Sequence, residues 1–205
     1  MRKKIIMGII AVLCIAVLSL FLLMPKGPDL TAYEFLKQPR ITRLPDQKML
    51  VVTAQGDPNV VAKKAFRLLF RTYYKIPNAP KAITLAPRAR WAGDMNVKSS
   101  WIGQYAMPVP EETSSLPTVE PEAGYRIDLL TWAYGDVAEI LHVGPYSEET
   151  PTIEKLHHFI QEQGYRIIGE HEEEYIKGPG MFFQGDPMKY YTIIRCRIAK
   201  RSSGP

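Results

Sequence analysis

Apolar and polar positions follow two periodicities along the chain, and these predict strands and helices in a repeated order. In the first half, a β-rich run over 48–55 predicts a strand. A helix follows from 58 to about 75, where apolar residues recur every three or four positions. Asp57 is suited to cap this helix, and Pro58 to occupy its first turn. Further strands are predicted over 82–85, 101–107 and 126–133.

The second half repeats the first in the same order. A strand over 137–143 runs into Gly144, and an amphipathic helix follows with Thr150 at its cap and Gly164 at its end. Strands over 166–176 and 189–198 close the chain. One βαββ unit cannot bury both its helix and its sheet. The pattern therefore predicts an α+β fold in which a tandem βαββ repeat packs two helices on an antiparallel sheet.

An uncharged run of twenty residues, 5–24, follows Arg2, Lys3 and Lys4. As a helix it would be about 30 Å long, which matches the apolar core of a bilayer. The run lacks the cleavage pattern of a signal peptide, so an uncleaved anchor is favoured over a removed signal. The basic residues before it place the N-terminus in the cytoplasm. We therefore expect a single-pass membrane protein, held through residues 5–24, whose domain faces the periplasm or the extracellular space.

Length and charge indicate one folded domain with appendages. With 205 residues, 46% of them hydrophobic and 23% charged, the chain can form one well-buried core. The expected segments are an anchor over 1–24, a tether over 25–37, a domain over 38–199 and a tail over 200–205. Residues 1–30 carry +3 of the formal net charge of +5, so the domain is nearly balanced and no nucleic-acid partner is expected.

Few residues suit a disulfide, a metal or a nucleotide cofactor. Cys14 lies in the apolar run and Cys196 near the C-terminus, so the two are not expected to pair. His157 and His158 are adjacent on a predicted helix, which is the wrong spacing for a metal pair. The sequence contains no phosphate loop and no dinucleotide fingerprint. It therefore predicts neither a metal site nor a cofactor.

Four segments, in their order and spacing, resemble the GyrI-like small-molecule-binding domains of the SOUL/GyrI superfamily. They are 56–59, 138–146, 171–176 and 192–195. The resemblance implies an SHS2-type arrangement with a ligand cleft between two βαββ halves. It also implies that a Glu-x-Tyr on the penultimate strand, here Glu173 and Tyr175, places an acid and a phenol in the cleft. Tyr146, at the start of the second helix, is similarly implied to line it.

Strand alternation gives an independent view of the acidic segment around Glu173. Residues two apart share a face, so His171, Glu173 and Tyr175 are expected on one side, with Glu172 and Glu174 on the other. An alternative interpretation of this segment is a solvated strand face. With the resemblance, Glu173 becomes the candidate functional acid, and the other glutamates are interpreted as surface residues.

Aromatic residues on the predicted strands supply further candidates for the cleft. Trp101 and Tyr105 share a face, and Gly103 between them would leave space beside two rings for a flat ligand. Trp132 is a third candidate on a later strand. The alternative is that these rings only form the core. The predicted ligand-binding residues are thus Glu173, Tyr175, Tyr146, Trp101, Tyr105 and Trp132.

The expected function is binding of a small planar, cationic or amphipathic molecule in an aromatic cleft with a central glutamate. An alternative is a hydrolase that detoxifies electrophilic, cyclopropane-type molecules with Glu173 as general acid or base, since some members of the resembled family do so. A protein-interaction module is a third possibility. The sequence leaves open whether the chain is an enzyme, and it identifies no protein partner.

Overall fold

The computed structural model describes residues 28–81, 86–93, 97, 100–120, 122–179 and 184–201. Within them the chain forms an eight-stranded antiparallel sheet and two α-helices, so the α+β class is confirmed. The strands are β1 Arg40–Leu44, β2 Gln47–Gln55, β3 Arg88–Ala92, β4 Ile102–Pro108, β5 Tyr125–Trp132, β6 Gly135–Val143, β7 Tyr165–Lys177 and β8 Tyr191–Lys200. The α-helices are α1 Pro58–Tyr73 and α2 Thr150–Glu162, and a 3-10 helix spans Leu30–Lys37.

The sheet is rolled rather than flat. Its strand order is β1-β6-β8-β7-β3-β4-β2-β5, so six strand spacings separate β5 from β6 although only two residues join them. Six spacings in a flat sheet would span about 29 Å, whereas the three Cα–Cα steps of this connection reach at most about 11 Å. The two edges of the sheet must therefore approach each other.

One face of the sheet carries both α-helices. Asp57 caps α1 as predicted, because its carboxylate accepts a hydrogen bond of 2.9 Å from the Asn59 amide. The second helix differs from the prediction, since Thr150 is its first residue and Glu149 occupies the cap position. Each helix packs on its own apolar cluster, with Leu69 and Tyr73 in the α1 cluster and Leu156 and Ile160 in the α2 cluster.

The opposite face carries a row of alternating charges across five neighbouring strands. The residues are cross-strand partners in the order Arg40, Glu139, Arg195, Glu172 and Arg90. Glu172 accepts hydrogen bonds of 2.7 Å from Arg195 and 2.8 Å from Arg90. All of these residues except Arg40, at the exposed end of the row, are buried, and every carboxylate has an arginine beside it. The row therefore links the two halves of the sheet on the side away from the helices.

The interpretation of Glu172 and Glu174 as surface residues is wrong. Their side chains are only 3% and 16% exposed. The roll of the sheet brings the β5–β6 connection over this face, where the Tyr134 hydroxyl donates to Glu172 at 2.9 Å. Strand alternation assigned the two glutamates to the correct face but could not show that this face is covered.

Strands β1 and β3 were not predicted from the sequence. The strand predicted over 82–85 lies outside the described residues, and the strand found nearest to it is β3, at Arg88–Ala92. β3 has arginines at alternate positions, Arg88 and Arg90, and β1 contains Arg40 and Arg43; such basic runs are typical of exposed segments. In β3 both arginines contact largely buried carboxylates instead, as in the contact of 3.3 Å between Arg88 and Glu174. In β1, Arg40 contacts buried Glu139, whereas Arg43 is exposed.

The prediction of a membrane protein is wrong. Among the described residues, no helix has both the length and the apolar character needed to cross a bilayer. The predicted span, residues 5–24, lies outside the described residues.

Part of the predicted tether packs on the domain. The 3-10 helix Leu30–Lys37 buries Leu36, which is 2% exposed and contacts an apolar cluster on the face opposite α1 and α2. That cluster contains Leu141, Ile176 and Ile193. The segment from 30 to 37 is therefore part of the folded unit in this structure.

Candidate functional site

Glu173 lies near the middle of the sheet, on the face that carries both helices. Its cross-strand neighbours are Ala89 on β3 and Ile194 on β8. Ala89 belongs to the apolar cluster of α1 and Ile194 to that of α2. The polar side chains of His171, Glu173 and Tyr175 thus lie between the two clusters, and we call this strip the seam.

Both carboxylate oxygens of Glu173 have a partner within the seam. The Tyr175 hydroxyl donates to Oε2 at 2.6 Å, and His171 Nε2 donates to Oε1 at 3.0 Å. The side chains of His171 and Glu173 are 17% and 13% exposed. Alternation along β7 places these three residues together, as the sequence predicts, and the hydrogen bonds fix the orientation of the carboxylate.

His171 forms an ion pair with Glu173. Burial acts to lower the pKa of His171, but hydrogen bonds to Cys196 and Glu173, with the charge of Glu173, outweigh it and raise the pKa to about 10. The imidazole is therefore protonated at neutral pH. The sequence placed His171 on the correct face but did not mark it as a site residue, because only the fold brings Cys196 of β8 beside it.

A second carboxyl group, that of Glu149, belongs to the same site. It occupies the cap position of α2 but makes no capping hydrogen bond, and it is 6% exposed. Its Oε1 atom has no hydrogen-bond partner among the described residues. The Thr192 hydroxyl acts on the carboxyl, but the contact does not meet ordinary hydrogen-bond geometry.

Glu149 is a neutral acid at neutral pH. Burial raises its pKa most, and the negative charge of Glu173 raises it further, whereas His171 and Thr192 act in the opposite direction. The result is a pKa of about 8. The sequence reasoning missed Glu149, since a residue in a turn has no alternation that shows which way it points.

A continuous chain of seven aromatic rings crosses the seam. Each ring contacts the next with centroids 4.9 to 6.0 Å apart. In order, the rings are Trp101, Trp91, Tyr105, Phe66, Tyr175, Tyr146 and Tyr190. Within the series, Tyr105 is fully buried, whereas Tyr146 is 39% exposed. The chain of rings therefore reaches solvent at Tyr146.

The structure brings five of the six predicted site residues together. Glu173, Tyr175, Tyr146, Tyr105 and Trp101 lie at the seam or in its aromatic chain. Trp132 lies apart on the opposite face, 3% exposed, with the Arg90 guanidinium 4.0 Å from its ring centroid.

The space expected beside Gly103 is already filled. A Cβ atom at Gly103 would lie 2.7 Å from the Trp91 ring and 2.9 Å from the Tyr105 ring. The space beside Gly103 is therefore occupied by the Trp91 and Tyr105 rings and is not open to a ligand. Trp91, in a basic stretch that matches no motif, was not predicted at the site, nor were Phe66 and Tyr190.

Solved structures share this fold at low sequence identity. A conserved uncharacterized protein from Listeria innocua aligns with a TM-score of 0.66 and 20% identity, over 83% of this chain and 97% of its own. A hydrolase from the same organism aligns with a TM-score of 0.61 and 19% identity, over 80% and 92%. The C-terminal domain of EcmrR aligns with a TM-score of 0.60 and 14% identity, over 80% and 98%.

No protein-family profile and no curated protein sequence match the chain. At identities of 20% or less, the structural similarities establish the fold alone. The chain has the GyrI-like fold, as its sequence segments led us to expect.

Proposed function

We propose that this domain binds a small planar molecule, cationic or amphipathic, at the seam between its two helices. The observation that carries the proposal is a fixed carboxylate, Glu173, within a chain of seven aromatic rings. Ring faces attract a cation by about 0.5–2 kcal/mol, and Glu173 offsets the positive charge of His171 that would otherwise repel it. The rings also offer apolar surface on which a flat ligand stacks.

Unpaired polar groups near the seam support the same proposal. Among the described residues, the hydroxyls of Tyr105 and Thr192 and one oxygen of Glu149 are buried without a hydrogen-bond partner. Buried polar groups in folded proteins nearly always have a partner, so these three atoms, of eight such atoms among the described residues, are open to one outside the chain. A bound molecule with polar atoms supplies such partners.

We also infer that the site lies between two βαββ units, formed by β2, α1, β3 and β4 and by β6, α2, β7 and β8. The strand order supports this, since β2-β4-β3 and β6-β8-β7 follow the same sequence and meet at the β3–β7 pair. β1 and β5 then flank the two units symmetrically. A cleft between the units would place residues of β7 at its floor.

The proposal is tested by replacing Glu173 with glutamine and measuring affinity for 9-aminoacridine, a planar cation, by fluorescence titration. Glu173→Gln keeps the shape but removes the charge and leaves His171 unpaired. We expect affinity to fall about ten- to a hundredfold. Glu170→Gln on the same strand is exposed and should change affinity less than about twofold. Equal affinities of the two variants, or no binding to the unmodified protein, would contradict the proposal.

A second candidate function is hydrolysis of an electrophilic small molecule. One observation favours it: Glu149 is protonated at neutral pH, whereas Glu173 beside it is engaged by His171 and Tyr175. Two carboxyl groups in different environments are suited to acid and base roles. Mass spectrometry of an electrophilic cyclopropane incubated with the protein distinguishes the functions. A hydrolase converts it to the water adduct, and a binder returns it unchanged.

A further inference from the structure

We propose that Glu149 makes the direct polar contact to the bound cation and gives up its proton when the cation binds. This inference rests on the proposed function and specifies the ligand further. A ligand that uses Glu149 must carry an N–H donor, as protonated aromatic amines and amidines do. Permanently charged cations without an N–H group would bind more weakly.

The hydrogen bonds at the seam distinguish the two carboxyl groups. Glu173 already accepts from Tyr175 and from His171, so neither of its oxygens lacks a donor. Glu149 has an oxygen without a partner among the described residues and is 6% exposed. A donor that enters the seam therefore finds its free acceptor at Glu149.

The charges of the seam lead to the same conclusion. Protonated His171 neutralises Glu173 at a distance of 3.0 Å, so the pair offers no net negative charge. A cation entering this buried site needs a counter-charge, because an unpaired buried charge is costly. Glu149 can supply it by releasing its proton to solvent, while the ligand keeps its own proton and its positive charge.

The surroundings of Glu149 allow this change of charge. The groups that act on it are His171, Glu173 and Tyr175 of β7, Thr192 of β8 and Tyr146 of its own turn. Only Glu173 among them adds negative charge, and His171 offsets it. The carboxyl also lies at the N-terminus of α2, where the helix dipole favours an anion. Burial and Glu173 are then the causes that keep the acid neutral without ligand.

The coupling between cation binding and proton release predicts how the affinity changes with pH. A bound cation favours the ionised form of Glu149 and therefore lowers its pKa from about 8. Below that pKa, binding must first displace the proton, so affinity should strengthen as pH rises from about 6 to about 8 and then level off. A ligand whose own charge is constant over this range shows the effect without interference.

The test is isothermal titration calorimetry with 9-aminoacridinium, at pH 7 in two buffers of different ionisation enthalpy. The difference in heat reports the protons released for each ligand bound. We expect about 0.7 to 1 proton from the unmodified full-length chain, since the acid is mostly protonated at this pH. Glu149→Gln should release close to none. The neighbouring Glu148 is exposed, and Glu148→Gln should behave as the unmodified chain does.

A second probe, 10-methylacridinium, has the same ring system and charge but no N–H donor. We expect the unmodified chain to bind it about tenfold more weakly than 9-aminoacridinium, and Glu149→Gln to bind both equally. Proton release that persists in Glu149→Gln would identify His171 as the source and overturn the inference. Binding of 9-aminoacridinium without proton release would also overturn it. Failure of both probes to bind would instead contradict the proposed function.

Discussion

At the scale of single residues, Glu172 and Glu173 are adjacent in the chain but differ in environment and in role. Glu172 faces the charged row, where Arg90 and Arg195 both donate to it. Glu173 faces the seam, with the aromatic chain beside it. Burial acts to raise the pKa of the Glu172 carboxyl, but the guanidinium groups of Arg195 and Arg90 outweigh it and hold the pKa low. Glu172 therefore serves stability rather than ligand binding.

Replacing Glu172 with glutamine should destabilise the domain strongly. The change leaves two buried guanidinium groups without their shared counter-charge, which is expected to lower the free energy of unfolding by about 3 kcal/mol. Glu170→Gln is the matched control and should cost less than about 0.5 kcal/mol. Urea unfolding followed by circular dichroism measures both. A Glu172→Gln variant as stable as the control would show that the charged row does not stabilise the sheet.

At the scale of elements, the sequence predicted those whose residues have a clear apolar periodicity. Both α-helices and strands β2, β4, β5, β6, β7 and β8 were predicted, with boundaries close to those observed. β3 was missed because Arg88 and Arg90 are largely buried but resemble exposed residues in a sequence. β1 was missed because two of its five residues are exposed arginines. Residues 30–37 were interpreted as part of a tether with an apolar stretch able to dock on the domain; in the structure they form a 3-10 helix in which Leu36 is buried. These three elements are stabilised by contacts with residues that are distant in the sequence.

The docked 3-10 helix provides a test at this scale. Leu36→Ala removes a side chain that is 2% exposed and should lower the free energy of unfolding by about 2–4 kcal/mol. Phe35→Ala changes a neighbour that is 57% exposed and contacts the Arg40 guanidinium, so its cost should stay below about 1 kcal/mol. Thermal unfolding of the two variants compares them directly. Equal losses would mean that residues 30–37 act only as a tether and that docking of Leu36 does not stabilise the domain.

At the scale of the whole molecule, the rolled sheet determines which residues can form a site. The alternation of side chains along β7 assigned residues to the two faces of the sheet correctly. It gave no information on which other elements cover each face. Glu149 and His171 became site residues because α2 and β8 approach β7, and Trp132 was separated from the seam because it lies on the other face. Strand order and roll depend on how distant strands pair. A single sequence read by its periodicity contains little of that information.

The most direct test of the account is a crystal structure of the protein with 9-aminoacridinium bound. We expect the acridine ring on the helix face of the sheet, in contact with Tyr146 and Tyr175, with an N–H group within about 3 Å of Glu149. Glu173 should keep its hydrogen bonds to His171 and Tyr175. Acridine bound beside Trp132 on the opposite face, or only at the outer surface away from the seam, would contradict the proposed site.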